Sequence, residues 1–144
     1  MSDLMKPQDL RKIAEEKEME KAKKAFEHMK ALEQEQAGLK EMFMSRDVHP
    51  DVKTRVNNAV RRAAEQGQHR ILVITFPASY CNDQGRRINN LEHDWPVSLE
   101  GFAKKAYEFY MKELKPLGFK ASAQVLDYPG GMPGNVGLYL SWED

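Results

Sequence analysis

The sequence predicts an α+β fold: a long N-terminal helix, then the order α-β-α-β-β, with a three-stranded sheet packed by two helices. Three observations predict it. The chain from Pro7 to about Met44 is built mostly of strong helix formers with no strong breaker. Two later stretches carry apolar residues at helical spacing, and three short ones have the patterns of β-strands. We therefore divide the chain into a helical arm, 1–44, and a compact α+β domain, 45–144.

The helical arm carries a short heptad pattern in its second half. The two seam positions are occupied by Ala22, Met29, Gln36 and Phe43, and by Ala25, Leu32 and Leu39. Small and polar members make this a poor seam for a coiled coil. The second half of the helix either packs on its own domain or pairs with a copy of itself or with a partner helix. A small domain has little surface with which to cover so long a helix. We therefore expect a homo-oligomer formed through the arm.

The compact domain begins with an amphipathic helix and an apolar strand. In residues 50–66 the apolar residues recur at helical spacing, and Gly67 is placed to end the helix. "RILVITF", 70–76, is apolar throughout, which is typical of an interior strand covered on both faces. We expect it to be the central strand of the sheet.

The rest of the domain predicts a helix and a hairpin. Ser98 can cap a third helix, which Pro116 and Gly118 end. "FKASAQVLDY" alternates as a half-buried strand does, and "VGLYLSW" is a final strand. The Gly- and Pro-rich segment 128–135 between them predicts a hairpin tip. The first strand then reaches the hairpin through a crossover.

Several of these motifs resemble a group of small α+β proteins from bacterial and phage genomes that have no assigned function. They are "NNAVRRAAEQGQHRILVI", "LKPLGFKASAQVLD" and the terminal "GLYLSW", within residues 52–142. The resemblance implies the fold and a bacterial or phage origin, but no reaction. The segment 77–98 and the helical arm depart from the simplest version of this pattern, so we expect specific function there.

Composition restricts the function classes. The 22 basic and 22 acidic residues balance, so no global field attracts nucleic acid or anionic lipid. Cys81 is the only cysteine, which excludes an intrachain disulfide. The N-terminus lacks a signal-peptide pattern, and the longest apolar run is too short to span a bilayer. We expect a cytoplasmic protein with no cofactor and no membrane association.

The segment 80–96, "YCNDQGRRINNLEHDWP", is the main candidate site. Connections this long inside a small domain tend to be functional, and Arg and Asn side chains suit the binding of anions or peptides. Beside it, the hairpin tip would supply apolar contacts. The predicted binding residues are Arg86, Arg87, Asn89, Asn90, Trp95, Tyr128 and Met132. This favours a non-enzymatic protein-interaction or assembly protein.

Two alternatives belong to other functional classes. In a small enzyme, Cys81 would be the nucleophile, His93 its base, and Asp94 or an asparagine the orienting group. In a nucleic-acid-binding protein, the basic helix 50–66 would contact phosphates through Lys53, Arg55, Arg61 and Arg62. A metal site formed by Cys81, Asp83, His93 and Asp94 is disfavoured, because the chain lacks the closely spaced ligand pairs of structural zinc sites.

Overall fold

A computed structural model describes residues 4–143 of the chain. The α-helices and strands are α1 (Pro7–Ser45), α2 (Val52–Glu65), β1 (Arg70–Pro77), α3 (Arg86–Asn89), α4 (Gly101–Phe109), β2 (Lys120–Val125) and β3 (Asn135–Ser141). Short 3-10 turns lie at Ala78–Tyr80, Trp95–Ser98, Lys115–Leu117 and Pro129–Gly131, and a π-helical turn, Tyr110–Leu114, follows α4. The predicted α+β fold, with its long N-terminal helix and three-stranded sheet, is confirmed.

The sheet is antiparallel and has the order β1-β3-β2. Because both outer strands are antiparallel to β3, β1 and β2 run parallel to each other at the two edges. One face carries the rows Phe76–Val136–Val125 and Ile74–Leu138–Ala123. This face forms the core of the domain with Ile88, Leu99 and Ala103, which come from the segment after β1 and from α4.

The expectation that residues 70–76 form the central strand is wrong, because β3 occupies that place. In β3, Val136, Leu138 and Leu140 are all at most 8% exposed. β1 lies at an edge, and its register shifts between Leu72 and Ile74. Leu72 and Val73 are therefore 47% and 46% exposed. The run is apolar on both faces although only one face is covered.

The chain forms two compact units, of which the first ends at Glu41 and the second begins at Met42. In the first unit, α1 has no buried residue between Pro7 and Glu41. The second unit contains the last turn of α1. There Phe43 packs against Phe76 and Tyr80, with ring centroids 5.4 and 4.9 Å apart. Phe43, a predicted seam residue, is therefore part of the core of the second unit.

Candidate functional site

The segment 80–96 is folded around the ion pairs of Arg87. The side chain of Asp83 accepts hydrogen bonds from the backbone N–H groups of Gly85 and Arg87, each at 3.0 Å. The Arg87 guanidinium lies 3.2 Å from Asp83 Oδ2 and 3.3 Å from Asp94 Oδ2. Its side chain is only 24% exposed. Arg87 therefore links the two ends of this polar segment.

Electrostatics at Asp83 follow from these contacts. Partial burial acts to raise the pKa of the carboxyl group, but the hydrogen bonds from Arg87 and Gly85 and the charge of Arg87 outweigh it. The net result is a pKa below the usual value for aspartate. Asp83 is thus a carboxylate that organises the segment.

The two predicted clamp arginines both have carboxylate neighbours within the segment. Arg86 Nη1 lies 3.6 Å from Glu92 Oε2, and Arg87 is bound by Asp83 and Asp94. An incoming anion would have to compete with these carboxylates for the guanidinium groups. Of the two, Arg86 is the more open, with a side chain 59% exposed.

The hairpin tip lies against the polar segment. The Tyr128 hydroxyl donates a hydrogen bond of 2.8 Å to Asn89 Oδ1. Asn90 is exposed, and Met132 is 68% exposed. Trp95 is half-buried and packs edge-on against Tyr107, with centroids 5.4 Å apart. The predicted binding residues thus divide into exposed ones and two that are partly buried, Arg87 in its ion pairs and Trp95 in the packing of the domain.

Two residues of the segment have strained backbones. Gln84 and Leu91 have φ values of +61° and +57°, which residues other than glycine rarely adopt. Leu91 is also 83% exposed, so burial of its side chain does not explain its position. Strain of this kind is concentrated at functional sites.

Cys81 is in the core and its thiol is protonated at neutral pH. The residue is 3% exposed. Burial is the main cause that raises the pKa of the Cys81 thiol to about 11; a hydrogen bond with Ser98 opposes the rise, and the charges of Asp83 and Glu100 add to it. His93 is exposed. Because the thiolate is the nucleophile, this environment does not support the catalytic alternative of Cys81, His93 and Asp94.

The basic residues of α2 lie on different sides of the helix. Lys53 pairs with Glu113 at 3.5 Å. The Nη2 atom of Arg55 lies 3.1 Å from His49 Nε2. Arg55 and Arg62 are seven residues apart and share one side, whereas Lys53 and Arg61 share another. The predicted basic set therefore does not form one continuous stripe for phosphates.

Sequence reasoning did not identify the organising roles of two aspartates. Sequence patterns place Asp83 only in the disfavoured metal site, yet its position before Gly85 and Arg87 is the pattern of an Asx-turn. Asp127 holds the hairpin tip: its Oδ1 accepts a hydrogen bond of 2.6 Å from the backbone N–H of Asn135. An aspartate just before a Gly- and Pro-rich turn could have indicated this role.

Comparisons with known proteins return no relative: no family model, no curated protein and no solved structure matches the chain. Across residues 4–143, no group of three or more His, Cys, Asp or Glu side chains is arranged to hold a metal ion. No helix in the described part of the chain is long and apolar enough to cross a membrane.

Proposed function

We propose that this is an assembly protein whose α1 helix pairs with α1 of a second copy. One observation carries the proposal: the large apolar residues of the heptad pattern that precede Phe43 are exposed. Met29, Leu32 and Leu39 are 60%, 43% and 55% exposed, and Phe26 beside them is 68% exposed. Each buried apolar side chain stabilises an assembly by about 1.5–3 kcal/mol relative to the exposed state. Pairing of two helices would remove this stripe from water.

The charges beside the stripe favour a second copy in parallel orientation. With Ala22 at position a, Glu35 falls at position g and Lys40 at position e of the next heptad. In a parallel, in-register pair, Glu35 of one helix faces Lys40 of the other. His28 and Glu33 stand in the same relation. Gln36 at position a is a polar residue that can fix the register.

Charge exchange at Glu35 and Lys40 tests the pairing in the full chain. In a symmetric pair the contact between positions 35 and 40 occurs two times, so Lys40→Glu creates two carboxylate–carboxylate contacts. Together they cost about 1–2 kcal/mol and raise the dimer dissociation constant roughly 5- to 30-fold. Glu35→Lys has a similar effect. The double variant restores attraction and brings the dissociation constant back toward that of the wild type.

A matched control lies on the far side of the helix. Glu27→Lys makes the same change of charge as Glu35→Lys at position f, outside the predicted pair. Sedimentation equilibrium should show an unchanged dissociation constant for this variant. A double variant that dissociates further than either single one would contradict the parallel arrangement, and a wild-type chain that stays monomeric would end the assembly proposal.

We propose a second, partner-binding surface made of the segment 80–96 and the hairpin tip 128–135. Support comes from the Tyr128–Asn89 hydrogen bond and from the exposed apolar side chains of Leu91, 83%, and Met132, 68%. The strain at Leu91 provides a test. Leu91→Gly should raise the stability of the free protein by about 1 kcal/mol, because glycine adopts positive φ without strain, while it weakens capture of any partner.

Arg87→Ala serves as the comparison variant for this surface. Arg87 holds Asp83 and Asp94, so its loss should lower the melting temperature and partner capture together. Loss of stability on Leu91→Gly would contradict the strain argument. A cytoplasmic location and the grouping with small bacterial and phage proteins agree with an intracellular assembly protein, and they remain predictions.

A further inference from the structure

The second unit contains an apolar cavity of about 440 Å³. It lies between α2, the helical segment 101–114 and the covered face of the sheet. Its walls are aliphatic and aromatic, and include Val52, Val56, Ile74, Ala106 and Leu138. Protein cavities that bind small molecules have volumes of roughly 300–1,000 Å³ and mostly apolar linings. The cavity is thus large enough for a ligand with an apolar chain.

The charged residues that line this cavity have one sign. They are Arg46 and Arg55, with His49 between them in sequence, and the lining drawn from residues 4–143 includes no aspartate or glutamate. Both arginines are exposed residues, which places them where the cavity meets solvent. Neither forms an ion pair with a carboxylate of the described residues, whereas Asp47, which follows Arg46 in the sequence, binds Lys105 at 2.7 Å. The cavity therefore combines an apolar interior with a cationic opening.

The local contacts of the two arginines leave their donors available. Arg46 lies over the Phe102 ring, 4.4 Å from its centroid, and a guanidinium stacked in this way can still donate hydrogen bonds from its edge. The backbone N–H of Asp51 donates to His49 Nδ1 at 3.0 Å. A ring nitrogen that accepts a hydrogen bond carries no proton, so the proton of the His49 ring is on Nε2. Nε2 therefore cannot accept a hydrogen bond from Arg55. Arg55 thus lacks a strong acceptor at its closest contact, His49 Nε2, 3.1 Å away.

We infer that the cavity binds a carboxylic acid with a single apolar chain. The chain would occupy the space between α2 and the sheet, and the carboxylate would bind Arg46 and Arg55. An anion supplies the acceptor that Arg55 lacks, and guanidinium–carboxylate hydrogen bonds are among the strong ones in proteins. Burial of the apolar chain supplies the larger part of the affinity. The site is independent of the α1 stripe, and it shares Trp95 with the segment 80–96.

The test uses the full chain with decanoate, below the concentration at which it forms micelles, and decanol as the neutral counterpart. Isothermal titration should show decanoate binding at least tenfold more tightly than decanol, about the effect of one charge-assisted hydrogen bond. Arg55→Met keeps the apolar stem and removes the charge. It should weaken decanoate binding about tenfold and leave decanol binding unchanged.

Two further variants separate the site from general effects. Arg61→Met removes the same charge from the same helix outside the cavity lining, and it should leave both affinities unchanged. Ala106→Phe fills the cavity and should abolish binding of both probes; circular dichroism shows whether this variant is folded. Equal affinity for decanoate and decanol, or binding that Arg55→Met does not alter, would overturn the inference. Failure of the wild-type chain to bind either probe would overturn it as well.

Discussion

Replacement of Gly101 by alanine tests how the end of α1 packs in the second unit. Gly101 begins α4 with a φ of +57°. A Cβ atom at this position would lie 2.6 Å from Met44 Cα and 3.0 Å from the Phe43 carbonyl oxygen. Both are backbone atoms, so a change of side-chain rotamer cannot relieve the contact. Gly101→Ala therefore requires the last turn of α1 and the first turn of α4 to move apart.

The cost has two parts. A left-handed conformation costs an alanine about 1–2 kcal/mol, and forced separation of packed segments costs about 1–3 kcal/mol more. We expect a total loss of about 2–5 kcal/mol, which lowers the melting temperature of a unit this size by roughly 10 °C or more. Urea unfolding followed by tryptophan fluorescence measures it, because Trp95 packs within the second unit.

Gly67→Ala is the matched control. Gly67 has a φ of +80°, and an added Cβ would meet nothing within 4 Å. Only the backbone part of the cost applies to it, about 1–2 kcal/mol. Equal losses in the two variants would refute the reasoning, because they would mean that Met44 does not lie against Gly101.

Two further predictions concern the segment 80–96. Burial raises the pKa of Cys81 from 9.0 to about 11, so iodoacetamide at pH 7.5 should alkylate the folded protein about 100-fold more slowly than the urea-unfolded chain. Comparable rates would show that the thiol is accessible and acidic. Folding lowers the pKa of Asp83. The carboxylate of Asp83 therefore stabilises the folded state fully above the aspartate pKa of the unfolded chain, about 3.9, and this stabilisation is lost as pH falls through the pKa of the folded state. Arg87→Met should therefore lower the urea midpoint more at pH 7 than at pH 3; an equal loss at both values would show that Arg87 acts through packing alone.

The fold was largely predictable because its helices and strands carry strong local signals. α2 has apolar residues on one side, β2 alternates, and Gly- and Pro-rich turns separate the elements. Strand order was not predictable in the same way. The run at 70–76 is the most apolar strand, yet it lies at an edge, because strand position depends on pairing between distant segments that local hydrophobicity does not encode.

The candidate site was predictable as a region but not in its contacts. Composition alone identified 80–96 as a long polar connection. The pairing of Arg87 with Asp83 and Asp94 depends on how the segment folds back, and so does the burial of Cys81. The cavity gave no signal in the sequence, because its lining comes from helices and strands far apart in the chain.

Absolute mass in solution, measured by light scattering on the full chain across a range of concentrations, tests the central claim most directly. The assembly proposal predicts that the mass of the full chain rises with concentration to twice 16.6 kDa. A shortened chain that begins at Glu41, and so keeps Phe43, should remain at its monomer mass. A full chain that stays at 16.6 kDa at every concentration would contradict pairing through α1. A dimer that persists in the shortened chain would place the contact in the second unit.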